Sequence, residues 1–355
     1  MKVLVTGGSG YFGTRLIEIL SAEEIQIESF DIGYFWNCWL GKKSTIVEHA
    51  VSAQELTESL ISNFDAVIHF AGISNDPLKQ LNESDMHDSS LEYSRTIAEI
   101  CKRNSISFIY ASSCSVYGKQ FNIVDEHSLV NPQTPYSQNK IQIENMLLTL
   151  RDLKWSPVIL RFSTLYGFSP RMRFDTVINM LCGMGLVEDR ISLNSNGEAH
   201  RPFLHIDDAC LIVKSILEIC IQGEEYKITD AVVNVGSNDL NFSIKEISDL
   251  VSIETGKPVE MLQLAETPNE LILDRKHQDG VDSRSYVVNF DKLRGILGNE
   301  MPHRNIKEGI QKTLFDLKTR NFDKHNFYDK SFYRLQFLEE CIDVGILDKN
   351  LQFIK

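Results

Sequence analysis

Positive charge is scarce in this chain: 36 lysines and arginines stand against 49 aspartates and glutamates, a net charge of −13 over 355 residues. Holding a phosphate backbone needs clustered cations, so the balance argues against nucleic acid and anionic membranes as partners, and an anionic ligand must find a local basic patch. Long apolar runs are missing too. Only Val3, Leu4 and Val5 separate Lys2 from Thr6, too few for a signal-peptide core, and no window approaches the roughly 18 apolar residues of a membrane span. A cytoplasmic location without a membrane partner is the expectation. The seven cysteines are scattered and include no C-x-x-C pair, which argues against a disulfide framework and a zinc site; no metal is expected. Internal repeats and low-complexity segments are likewise lacking. What is present, 43% apolar and 24% charged residues, suits one large globular domain or two smaller ones.

Through about residue 165, short apolar runs alternate with longer helical patterns. Residues 2–5, 26–30, 66–70, 107–110 and 157–160 read as strands, most of them buried on both faces, while 13–22, 53–62, 91–102 and 137–150 carry apolar residues at helical spacing. Alternation of this kind predicts an α/β fold, a doubly wound parallel sheet covered by helices, with ligands at the carboxyl ends of the strands where strand order reverses. Beyond Gly167 the pattern loosens, and strand-like runs return at 203–206 and 232–235. The expected division is a sheet domain over 1–167 with later strands from about 202–236, a smaller interleaved C-terminal substrate domain from 168–201 and 237–300, and a helical extension over 301–355 with a helix near 333–342.

The turn after the first strand reads TGGSGYFGTRL, with Gly7, Gly10 and Gly13 at G-x-x-G-x-x-G spacing. Early glycines let backbone amides approach a pyrophosphate and the last lets the helix pack on the strand, so this strand–turn–helix predicts dinucleotide binding. Asp31 ends the second strand, 18 residues after Gly13, where a carboxylate accepts from the adenosine ribose hydroxyls. That choice favours NAD over NADP, although Lys42 and Lys43 follow and offer charge to a 2′-phosphate. In YSQNK, Tyr136 and Lys140 are four apart and share a helix face. To take a proton near neutral pH, a phenol of pKa about 10 must be lowered by roughly 4 kcal/mol, and a neighbouring ammonium acts in that sense. Another segment, SSCSVYG at 112–118, offers Cys114 and the serines at 112, 113 and 115 as working groups.

Together TGGSGYFG, Asp31, HFAGISNDP, YASSCSVYG, YSQNK, RFSTLYGFSPRMRFD and RPFLHIDD resemble an extended short-chain dehydrogenase/reductase of the nucleotide-sugar epimerase/dehydratase group, over about residues 1–300. The resemblance implies a Rossmann domain holding NAD through Gly7, Gly10, Tyr11, Phe12, Gly13, Asp31, Ala71, Gly72, Tyr136 and Lys140, a nucleotide-sugar substrate, and a homodimer paired through a four-helix bundle. It implies a catalytic triad of Ser113, Tyr136 and Lys140, because the family's Ser/Thr lies four residues before the tyrosine of V-Y-G. Family 4,6-dehydratases follow that Ser/Thr with Asp and Glu; here Cys114 and Ser115 stand instead, which disfavours water elimination. Cys114 is expected to be a packed thiol. Among substrate-side residues, Arg171, Arg173 and Arg201 are candidates for a diphosphate, and the resemblance adds Arg284 and, as a substrate-binding amide, Asn179. His200, His205, Asp207 and Asp208 are read as a strand–helix junction in which Asp207 or Asp208 caps the helix. One departure is Ser90, at a position where relatives carry asparagine supporting the active-site strand. The expected function is an NAD-dependent nucleotide-sugar epimerase, acting at C4 through a transient 4-keto sugar. A 4-dehydrogenase or ketoreductase of the same fold, and a non-catalytic dinucleotide-binding protein, remain alternatives.

Overall fold

The structure, a computed structural model, describes residues 1–23, 25–41, 48–73, 83–224, 227–261, 284–298 and 301–354. Lys42, Lys43 and residues 74–77 of HFAGISNDP lie outside them. Seven strands form one sheet in the order β11-β7-β5-β4-β1-β2-β3. They are β1 (Lys2–Thr6), β2 (Gln26–Asp31), β3 (Glu48–Ala50), β4 (Ala66–His69), β5 (Ser107–Ser113), β7 (Val158–Phe162) and β11 (Val232–Val235). Every neighbouring pair is parallel. Strand order reverses at β1, flanked by β2 and β4, so the exits of these three strands surround one crevice.

The side-chain period of two explains the near-continuous apolar runs. Val3, Val5, Ile68, Ile109 and Leu160 face one core, where α1 (Tyr11–Ser21) packs beside α6 (Ile206–Ile221). Leu4, Val67, Phe108 and Ile159 face the other, covered by α3 (Glu83–Arg103) and α4 (Pro135–Leu150), with the short α2 (Glu58–Ile61) beside α3. Each such fully buried Leu, Ile or Val is worth about 1.5–3 kcal/mol. Among the described residues no helix is long and apolar enough to cross a membrane.

The second layer is built from small sheets. β8 (Thr164–Tyr166), β10 (His200–His205) and β12 (Asn241–Ser243) form one of three strands; β6 (Ile123–Val124) pairs with β14 (Val287–Val288), and β9 (Ile191–Leu193) with β13 (Val259–Met261). Residues 202–205, grouped by sequence with late strands of the main sheet, therefore pair with β8 and β12 instead, and among the described residues after them it is β11 that continues the large sheet. The apolar run of β10 fits either partner, and pairing is what sequence periodicity does not specify. Helices α5 (Val177–Val187), α7 (Ile244–Thr255), α8 (Asp291–Leu297) and α9 (Ile306–Lys318) complete this part. The chain then runs through α10 (Lys324–Tyr328) and α11 (Arg334–Asp343).

Candidate active site

A cavity of about 650 Å³ opens over the exits of β1, β2, β4, β5 and β7. Gly7, Gly10, Tyr11, Phe12, Gly13, Asp31, Ala71, Gly72, Ser113, Tyr136, Lys140 and Arg173 all line it. The glycines at its floor have physical reasons. Gly7 has φ +74°, and a Cβ there would sit 2.6 Å from the Ala71 amide nitrogen; at Gly13 a Cβ would sit 2.6 Å from the Gly7 carbonyl oxygen. Gly10 is the N-cap of α1 and supplies no capping side chain, leaving the first turn of the helix to draw its hydrogen bonds from elsewhere. Asp31 ties the turn to the next strand exit: its carboxylate accepts from the Ser9 amide at 2.9 Å and the Gly33 amide at 2.8 Å. An uncapped helix start, glycines without room for a side chain and a carboxylate on the adjacent strand fit the diphosphate and ribose of a dinucleotide.

Across the cavity, α4 begins at a capping box between Thr134 and Ser137 with Pro135 in its first turn, which fixes Tyr136 and Lys140 one turn apart. Lys140 Nζ donates to the Ala111 carbonyl at 2.6 Å and lies 4.7 Å from the Tyr110 ring centre and 5.5 Å from that of Tyr136. Burial pushes the Lys140 ammonium down from 10.5 to about 8, opposed by Glu144 one turn further along α4. Ser113 ends β5 and its Oγ accepts from the Ser115 amide at 3.1 Å. Of its neighbours in sequence, Ser112 also lines the cavity, whereas Cys114 turns into packed surroundings. Cys114 is 1% exposed, its thiol donates to the Arg161 carbonyl at 3.2 Å, and burial pushes its pKa up. Ser112 Oγ donates to Glu144.

Glu144 is itself held by Arg161 from β7 at 2.6 Å, and Arg161 donates to the Tyr117 hydroxyl at 3.0 Å. Sequence reasoning missed this buried charged pair, for which an arginine inside an apolar strand was the available signal. It also missed a polar chain that reaches the cavity lining at Ser90 and Asn139. Thr6 Oγ1 meets His69 Nδ1 at 2.7 Å, His69 Nε2 meets Ser94 Oγ at 3.0 Å, and Ser94 Oγ donates to the Ser90 carbonyl at 2.7 Å. Ser90 Oγ donates onward to Asn139 Oδ1 at 3.0 Å, so it links α3 directly to the Tyr136–Lys140 helix. Burial, with Lys140 nearby, lowers His69 to about 3 and keeps it neutral at ordinary pH.

The substrate-side expectations divide. Arg173 lines the cavity, its Nε 2.5 Å from Asp175. Arg171 does not: it is fully buried behind the wall, reaching Thr14 Oγ1 at 3.3 Å and the Trp36 carbonyl at 3.4 Å over the Trp39 ring. Residues 170–173 form a turn and irregular chain, not a strand, so the two-residue spacing does not put both arginines on one face. Asn179 is also buried away from the lining, accepting from the Gly167 amide at 2.8 Å and donating to the Tyr11 hydroxyl at 3.2 Å and the Arg173 carbonyl at 3.1 Å. Its amide braces Tyr11 and Arg173 instead of facing a ligand. Arg201 and Arg284 are brought together, Arg201 donating to the Arg284 carbonyl and lying over the Tyr286 ring, but neither is in the lining. At the start of α6 the cap is His205, whose Nδ1 accepts from the Asp207 amide at 3.2 Å. Asp207 pairs with Arg15 at 2.7 Å and Asp208 with Arg304 at 2.9 Å. Unforeseen lining residues come from the C-terminal segment: Arg334, Leu335, Leu338, Asn350, Leu351 and Gln352.

Comparison with known proteins agrees with this architecture. The model of the NAD dependent epimerase/dehydratase family matches residues 3–236. An uncharacterized UDP-glucose epimerase of Bacillus subtilis, YtcB, is 27% identical over 272 residues, covering 72% of this chain and 83% of the relative. A dTDP-glucose 4,6-dehydratase of Streptomyces antibioticus is 24% identical over 331 residues, covering 88% of this chain and 91% of the relative. In fold, the chain is similar to the UDP-glucuronic acid 4-epimerase of Bacillus cereus solved with UDP-glucuronic acid and NAD, at TM-score 0.71, 22% identity and coverage of 90% and 99% of the two chains. An NAD-dependent NDP-hexosamine 5,6-dehydratase, TunA, aligns at TM-score 0.72 and 21% identity with the same coverage. With the family model spanning well over half of its length, this chain belongs to the NAD dependent epimerase/dehydratase family, and its cofactor is NAD.

Proposed function

We propose that the protein is a nucleotide-sugar epimerase that inverts C4 through a transient 4-keto sugar. The supporting observation is the acid content of the cavity: among the described residues that line it, Asp31 is the sole carboxylic acid, and it stands at the ribose end beside the glycine turn. Eliminating water from a sugar calls for a proton donor and acceptor beside the sugar carbons. Here the positions after Ser113 hold a thiol committed to a carbonyl and a buried serine. Inversion at C4 requires less of the protein. When bound, NAD supplies a reversible hydride acceptor, so a stereocentre can be lost and remade with no net redox change. Tyr136 takes and returns the proton of the C4 hydroxyl, Ser113 Oγ hydrogen-bonds the same oxygen, and the Lys140 ammonium favours the phenolate. Arg173 contributes positive charge near the sugar end, and Arg201 with Arg284 is retained as the pair meeting the substrate diphosphate. We retain for this enzyme a cytoplasmic homodimer paired through α3 and α4, which pack side by side.

The test is redox stoichiometry with a panel of UDP-, GDP-, CDP- and dTDP-sugars, products read by NMR. Turnover to a C4 epimer without change in free NADH is the expected result. NADH appearing or disappearing mole for mole with sugar would make the enzyme a 4-dehydrogenase or ketoreductase instead. Tyr136→Phe is expected to lower turnover by about 10²–10⁴-fold; retention of full turnover would overturn the triad.

A further inference from the structure

Segment 334–352 closes one wall of the cavity. Leu338 and Leu351, both nearly fully buried, form a small apolar cluster against Tyr34, Phe35 and Ile73. The Tyr34 hydroxyl donates to the Leu351 carbonyl at 2.6 Å. Tyr34 and Phe35 leave β2 just after Asp31, and Ile73 leaves β4 just after Gly72. These are the two strand exits flanking the glycine turn, so the segment lies across the mouth where a dinucleotide diphosphate would meet the start of α1.

Arg334 opens that segment and is 4% exposed. Its Nη2 donates to the Arg171 carbonyl at 2.9 Å, and its guanidinium carbon lies 4.1 Å from the Phe35 ring centre. The guanidinium of Arg171, at the other end of that residue from the carbonyl, reaches Thr14 in the first turn of α1 at 3.3 Å. Its Nη1 is buried without any hydrogen-bond partner, although the residue lines the cavity. A buried guanidinium with an idle N–H costs free energy unless an anion completes it. Burial, with the Arg173 and Arg171 guanidiniums nearby, lowers Arg334 from 12.5 to about 10, opposed in part by Asp175, which accepts from the Arg334 amide at 3.2 Å, and by Cys38.

From this geometry we infer that Arg334 binds the diphosphate of the dinucleotide, and that segment 334–352 is a cofactor strap fixed over the Rossmann crevice. The inference rests on the dinucleotide reading of the cavity and assigns to the C-terminal segment a binding role toward NAD. The chemistry sought by Nη1 is a nucleotide diphosphate, which both NAD and a nucleotide sugar carry. The contact with Phe35, which leaves β2 just after Asp31, favours the dinucleotide. Arg334 supplies to the cavity wall a full positive charge whose Nη1 is unpartnered, beyond the amides and dipole at the start of α1.

The experiment is equilibrium binding to protein stripped of cofactor, with NAD, ADP-ribose, adenosine and UDP as separate probes, for the parent and for Arg334→Met and Arg334→Lys. Arg334→Met should weaken NAD and ADP-ribose equally, by about 10- to 100-fold as for loss of one charge-assisted hydrogen bond, and leave adenosine unchanged. Arg334→Lys should fall between. UDP affinity should be unchanged in both. Unaltered NAD affinity in Arg334→Met, or weakening of UDP in place of NAD, would overturn the assignment; because no turnover is measured, neither result bears on the epimerase reading. Should the variants fail to fold, hydrogen exchange on the parent decides: NAD alone is expected to slow amides over 334–352, and slowing by UDP alone refutes the inference.

Discussion

Lys140 is a charge held at a cost, and the cost is measurable through its pH dependence. In the folded chain its pKa is lowered to about 8, whereas the unfolded chain retains the value near 10.5. Between those two values the unfolded state binds more protons, so raising the pH through this window favours folding. Replacing Lys140 by methionine keeps an unbranched side chain, one atom shorter, and removes the titration. The stability of the parent relative to Lys140→Met should therefore rise by about 2.5 kcal/mol between pH 7 and pH 10, the difference in proton-binding free energy for those two pKa values. Taking the difference cancels every other titrating group that the substitution leaves undisturbed. Urea unfolding of both cofactor-free proteins at half-unit pH steps supplies the numbers, with equal m-values as the condition for comparing them. A relative stability that is flat across the window, or that falls, would refute the claim that burial dominates at this lysine. The same group should set an alkaline limit on activity near pH 8, where the ammonium that favours the Tyr136 phenolate is lost.

Two further outcomes follow from the buried surroundings of the triad. Cys114→Ala should cost about 1 kcal/mol through its small cavity and leave turnover within a few-fold; a loss beyond about 100-fold, within the range of an acid–base group, would return the thiol to the chemistry. Glu144→Gln, which leaves Arg161 charged and buried, should lower stability by about 3–5 kcal/mol in a urea melt. It should also move the alkaline limit of activity to lower pH, because Glu144 supports the charge on Lys140; an unmoved limit would separate the two groups.

Much of the sheet was legible because its strands are short and buried on both faces, as Leu4 and Val67 opposite Val5 and Ile68 illustrate. The glycine turn was legible for a stricter reason: only residues without a Cβ fit at positions 7 and 13. What escaped was tertiary. Strand β3 is a three-residue edge without a period to detect, and β10 carries the apolar run of a central strand while belonging to another sheet. Arg171 and Arg173 are nearly indistinguishable in sequence, yet one supports the wall from behind and the other forms its surface. Ser90 looked like a weakened substitute, whereas its hydroxyl reaches Asn139 and joins two helices. For β10, Arg171 and Ser90 the deciding partner lies tens of residues or more away along the chain.

The contact between Tyr34 and Leu351 spans 317 positions, which gives the cavity a history in time as well as a shape. The glycine turn leaves the ribosome early, but the wall carrying Arg334 and Leu351 follows only after that span has been translated. At about 5–20 residues per second the interval is roughly 16–63 s, during which the sheet can assemble while its cofactor crevice stays open on one side. Dinucleotide capture would then come late in biogenesis, and a chain broken off before residue 334 would carry the whole triad without the wall that encloses its coenzyme.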